Sequence, residues 1–143
     1  MDAVAPRASA LRVLGRALLY FVLVFGVGFL LGPIRVLWLA PQVGERSAEL
    51  IEAPLMFGAI LLASRWIGRR WCAGWSHRAI LGVGAGAAAC VLGADLAVGV
   101  GLRGMSVAQV FLARDPVGAA VYYALVAFMA LAPSLWKRRE APA

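Results

Sequence analysis

Three glutamates and an arginine carry the most demanding chemistry in this sequence. Glu45, Glu49 and Glu52 are spaced by four and three residues, so on a helix they share one face, which continues to Met56. Arg35 precedes them by less than twenty residues, and all four lie between two long apolar segments. Charges beside lipid cost roughly 2.5 to 3.5 kcal/mol each at a helix centre and persist when they pair or face a cavity. Such a constellation can serve as a structural ion-pair network, as a site for protons or a cation, or as a contact for a basic helix of a partner. Asp95, Tyr122 and Tyr123 are further polar groups within apolar stretches.

No other chemistry has its residues here. The single histidine, His77, lies beside Arg78 and reads as a solvated interfacial residue. It supplies neither a two-histidine haem nor a zinc ligand set. Cys72 and Cys90 lack CxxC spacing and lie on different elements, which points away from a metal site or a disulfide framework. Phosphate-binding loops, nucleophile elbows and metalloprotease motifs are all missing from the sequence. The expectation is therefore a chain without cofactor or metal, and not an enzyme.

The elements that must position these groups follow from composition. The chain has 143 residues, 63% of them hydrophobic and 15% charged, with a mean hydropathy of +0.85. That is too apolar for an ordinary soluble domain and reads as integral membrane, with the bilayer as the first partner. The net charge of +7 does not indicate nucleic acid, because the basic residues cluster at the ends of apolar runs, where they set topology.

Four membrane-spanning helices are predicted, at about 17–39, 46–68, 77–102 and 117–136, giving an all-α, four-helix transmembrane bundle in one domain. The charged start followed by an apolar run resembles a signal peptide, but the run is too long and no acceptable cleavage site follows, so an uncleaved helix is expected. Pro33 is expected to bend the first helix and Pro41 to stop it. Gly28 and Gly32 give it a GxxxG spacing. Ser76 reads as the N-cap of the third helix and Asp115–Pro116 as the start of the fourth. Between them, 103–116 reads as a short interfacial helix, with a plain loop as the alternative. The third helix is lined by Gly82, Gly86, Cys90, Gly93 and Ala97 on one face and by Gly84, Ala88, Asp95 and Gly99 on another, which suggests contacts on both sides.

Basic residues at 7, 12, 16, 65, 69, 70, 78 and 137–139 would fall on one side of the membrane, and those at 35, 46, 103 and 114 on the other. The positive-inside rule then places both termini in the cytoplasm. The alanine-, glycine- and arginine-rich, lysine-poor composition suggests a bacterial cytoplasmic membrane. At a rise of ~1.5 Å per residue across a core of ~30 Å, Glu49 and Glu52 lie roughly 6 to 10 Å below the outer boundary, with Asp95 at a similar depth. Arg35, Glu49, Glu52, Asp95 and Tyr122 are accordingly expected to meet in the outer third of the bundle. Three carboxylates against one arginine need protons, a cation, water, or a further arginine such as Arg46 or Arg103.

Two functions fit these expectations. One is an accessory or scaffold subunit of a larger membrane assembly, held to other subunits or to itself through glycine-rich helix faces. The other is a small proton- or cation-coupled transporter using Glu49, Glu52 and Asp95. Catalysis on lipid is a distant third, since two carboxylates and an arginine offer acid–base groups but no nucleophile.

Overall fold

A computed structural model describes residues 9–112 and 115–136. Arg7, Arg114, Lys137, Arg138, Arg139 and position 143, which enter the topology argument, lie outside the described residues. Among those described, the secondary structure is all helical. Four helices are long and apolar enough to cross a membrane: α1 (Ala10–Val43), α2 (Glu45–Trp71), α3 (His77–Gly101) and, after the six-residue α4 (Val107–Leu112), α5 (Pro116–Leu135).

α1 starts earlier and ends later than its apolar run suggests. Ser9 caps it by accepting from the Arg12 N–H at 3.3 Å, which draws the basic first turns into the helix. Pro33 does not end it. The helix continues to Ile34 and then widens into a π turn over Arg35–Leu39, where the Ala40 N–H reaches back five residues to the Arg35 carbonyl. The wide turn gives the Pro41 ring room above the preceding carbonyls, so Pro41 sits in a last helical turn, Ala40–Val43, instead of stopping the chain. The stop comes from Gly44, whose φ of +87° reverses the chain directly into α2. α2 also closes in a π turn, Ile67–Trp71, which carries Arg69 and Arg70 inside the helix.

Hydroxyls and a carboxylate start the later helices. Ser76 accepts from the Ala79 N–H at 3.2 Å. Ser106 and Gln109 form a reciprocal capping box, each side chain accepting from the other's backbone N–H. That box makes 107–112 a helix and not a loop. Asp115 accepts from the N–H groups of Val117 and Gly118, both at 3.1 Å.

The long helices contact in a ring, α1 beside α2 and α3, and α5 closing the ring against the same two. Glycines set the close approaches. A Cβ at Gly82 or Gly86 would press on Val13 or Ala17 of α1, and one at Gly84 would overlap the Ala130 carbonyl of α5. Both faces of α3 are therefore used inside the chain. A Cβ at Gly28 would lie 3.5 Å from the Met56 side chain of α2, whereas one at Gly32 would face open space, so the GxxxG pair supports one contact only.

The shared core is Tyr20, Val24, Ile60, Ile80, Val83 and Met129 with their neighbours. Tyr20 crosses the ring: its hydroxyl donates to the Met129 carbonyl at 2.9 Å, although the residue is fully buried. The reason lies four residues on. Pro133 has no N–H, so the Met129 carbonyl lacks its helical donor, and the tyrosine supplies one.

Candidate functional site

One end of the ring gathers the polar groups. The π turn of α1 presents Arg35 toward α2, where its Nε lies 3.2 Å from Glu52 Oε2 and its Nη1 lies 3.9 Å from Glu49 Oε1. The Glu49–Glu52 spacing makes this possible, since one helical turn sets both carboxylates before one guanidinium. The contact to Glu52 is off-line for a hydrogen bond, and the buried Oε2 atom has no hydrogen-bond partner among the described residues. The Glu49 carboxylate also rests against α5 where Gly118 lacks a side chain; a Cβ there would overlap it. Gly118 thus admits the acid between the helices, a role that glycine-rich composition alone does not reveal.

Asp95 of α3 accepts a hydrogen bond from the Tyr122 hydroxyl of α5. Tyr123 points elsewhere, toward the Phe111 carbonyl of α4 at 3.4 Å. Arg46 is not available to balance the glutamates. It forms a two-pronged pair with Asp115, Nη2 to Oδ1 at 2.6 Å and Nε to Oδ2 at 3.0 Å. That guanidinium, with the Gly118 and Val117 N–H groups, holds the Asp115 carboxyl below the usual carboxylate range. One side chain thereby starts α5 and ties it to the start of α2. The sequence indicated the cap but not the ion pair, because residues 46 and 115 become neighbours only through the ring.

The two groups of acids line a common cavity of about 680 Å³ between the long helices. Arg35, Glu49 and Glu52 stand on its α1–α2 wall, and Asp95 and Tyr122 on the α3–α5 wall, with Glu45, Arg103 and Asp115 also at this end. All five residues expected from the sequence thus line one space, but as two clusters on facing walls. Further in, the lining becomes Val24, Phe25, Met56, Ile60, Leu125 and Met129. At ~1.5 Å per residue, these lie roughly 4 to 16 Å along their helices from the acidic layer. No three His, Cys, Asp or Glu side chains among the described residues are grouped to hold a metal ion.

The opposite end is basic and aromatic. Arg16 lies over the Trp71 ring at 4.5 Å and Arg65 over the Trp136 ring at 5.6 Å. The Trp136 indole donates to Ser64 Oγ at 3.0 Å, locking α5 to α2. Beside this collar, burial pushes the Cys72 thiol up to about 11.

Compared with protein families, with curated proteins and with solved structures, the chain matches none. Any function must be argued from the cavity itself.

Proposed function

We propose that this chain is a small multi-pass membrane protein that binds a cation in the cavity between its helices, as a proton- or cation-coupled transporter does. The observation that carries this reading is the cavity of about 680 Å³ with Glu49 and Glu52 on one wall and Asp95 on the other. Arg46 is committed to Asp115, and among the described residues Glu45, Glu49 and Glu52 line the cavity with Arg35 and Arg103. That surplus of acid favours positive solutes.

The membrane setting draws support from the outward surfaces. Leu11, Leu37, Leu62 and Leu135, on the outsides of several helices, are all more than 60% exposed, a distribution that suits lipid and not water. We place the protein in a bacterial cytoplasmic membrane, with the collar of Arg16, Arg65, Arg69, Arg70 and Arg78 on the cytoplasmic side and the acidic end outside, following the positive-inside rule.

The alternative, an accessory subunit, rested partly on a glycine-lined third helix awaiting neighbours. Gly82 and Gly86 are occupied by α1, Gly84 by α5 and Gly99 by α4, which weakens it. Gly26, Gly32 and Gly93, with open space before them, keep it worth testing. Gentle extraction from the native membrane followed by mass spectrometry separates the two. A cation-binding protein should purify alone or as a homo-oligomer and gain thermal stability from a cation, with Glu52→Gln or Asp95→Asn removing that gain. Stoichiometric co-purification with unrelated chains, and indifference to every cation, would establish the subunit reading.

A further inference from the structure

The end of the ring away from the acids carries positive charge that nothing in the described chain answers. Arg12 and Arg16 on α1, Arg65, Arg69 and Arg70 on α2 and Arg78 on α3 stand there, all exposed except the half-buried Arg16. The described carboxylates, Glu45, Glu49, Glu52, Asp95 and Asp115, all line the cavity at the far end. Among the described residues no ion pair reaches these arginines. Asp2 and Glu140 lie outside the described residues together with Arg7, Lys137, Arg138 and Arg139, so the flanking sequence holds more base than acid. Placement sharpens the excess. A Cβ at Gly82 would press on Val13 and one at Gly86 on Ala17, equal steps on both helices, so α1 and α3 run parallel and start at one level. Each begins on a serine cap and has no acid in its first turn. Arg12 and Arg78 stand in those turns instead, where a positive charge opposes the helix dipole and an external anion relieves it. Arg16, one turn deeper, lies over the Trp71 ring, and its buried Nε has no hydrogen-bond partner among the described residues. Just inward of the arginines, Leu14, Leu18 and Leu62 are exposed.

We propose that this end is a docking surface for anionic phospholipid, whose phosphodiester groups are held by the arginines and whose acyl chains lie on the leucines below them. Guanidinium groups suit this partner, since they present paired N–H donors to phosphate oxygens. The positive-inside rule accounts for the side on which basic residues fall and says nothing of lipid type. Lipid type matters here because a zwitterionic headgroup brings its own ammonium with its phosphate and leaves the arginine charge unanswered. A free phosphate would answer the charge but leave the leucines without acyl chains. The proposal rests on the membrane setting given above and is independent of the cation site at the other end.

The test reads tryptophan fluorescence of the full chain in bilayers of phosphatidylcholine and phosphatidylglycerol, with brominated acyl chains on one lipid at a time as the quencher. Trp66, Trp71, Trp75 and Trp136 belong to the arginine end and Trp38 to the acidic end. Trp38→Phe therefore reports the arginine end alone, and its difference from wild type reports the other. At the arginine end phosphatidylglycerol should be preferred about fivefold, the gain from one basic residue at an anionic surface. At Trp38 the two lipids should quench equally. Arg12→Gln with Arg78→Gln, both at exposed positions, should bring the preference to within about twofold of parity. Melting confirms that the variant is folded, and raised salt, which screens exposed charge, should have the same effect without any substitution. Equal quenching at the arginine end, or the same preference at Trp38, would overturn the proposal, as would a preference that survives both the substitutions and salt. Loss of the preference to millimolar inorganic phosphate at constant ionic strength would overturn the lipid in favour of a free anion. Quenching by neither brominated lipid would remove the membrane setting itself.

Discussion

At the scale of single residues, Arg35 and Asp115 make the sharpest claims. Arg35→Ala leaves Glu52 half-enclosed without its counter-charge and should cost about 1 to 3 kcal/mol of stability. Pairing it with Glu52→Gln should cost less than the two separate changes added together. Strict additivity in thermal melts of the four proteins would mean that Arg35 contributes through the headgroups instead. Asp115→Asn keeps an oxygen for the N-cap but loses the charge that Arg46 grips. Because the folded carboxyl titrates below its ordinary value, the pair's stabilisation is complete above the unfolded value of ~3.9 and disappears as pH falls through the lower, native one. The melting difference between wild type and Asp115→Asn should thus be constant above about pH 5 and shrink below about pH 4. Cys72, buried and with its thiol pushed up to about 11, should resist maleimide at pH 7.5 until the protein unfolds. The 49/52 spacing and the costliness of Arg35 near lipid were legible directly from residue types. The Arg46–Asp115 pair was not, since its partners are 69 positions apart and each already had a local explanation.

At the scale of elements, prolines and glycines decide where helices bend, stop and touch. Tyr20→Phe should cost about 1 to 2 kcal/mol, because the Met129 carbonyl then lacks a partner in a buried place. Pro133→Ala restores the missing backbone donor, so Tyr20→Phe in that background should cost clearly less; melting of the four proteins measures this. Gly84→Ala collides with the Ala130 backbone and should cost about 3 kcal/mol, while Gly26→Ala, facing open space, should be silent or mildly stabilising. Helix existence was readable from apolar runs, and the caps at Ser76 and Asp115 from residue type. Boundaries were less so. Pro41 is a stop signal only if the preceding turn is α-helical, and the π turn at Arg35–Leu39 removes that condition. The two-sided use of α3 followed from its glycine pattern, but nothing in that pattern told which neighbour each face would meet.

For the whole molecule, the ring of four helices brings together what the sequence could only assign to a common depth. Counting residues from the basic collars placed Glu49, Glu52 and Asp95 in one layer, and the cavity they share arises from the ring order, which depth does not determine. The proposed orientation predicts that a cysteine at Gln42, an exposed position, reacts with a membrane-impermeant maleimide from outside intact cells. A reporter joined after position 143 should be active on the cytoplasmic side. The reverse pattern would turn the acidic end inward and place cation entry on the cytoplasmic face.

The bond from Tyr20 to Met129 spans 109 positions, and a chain is made from its N-terminus. Until the last helix emerges, a nascent chain holds a tyrosine hydroxyl with no acceptor from α5, and α3 presents the notch at Gly84 to whatever lies beside it. Three long helices must wait for the fourth. During that interval another surface has to occupy the seat that α5 later takes, and a ribosome that stops before Pro116 leaves a product whose ring cannot close.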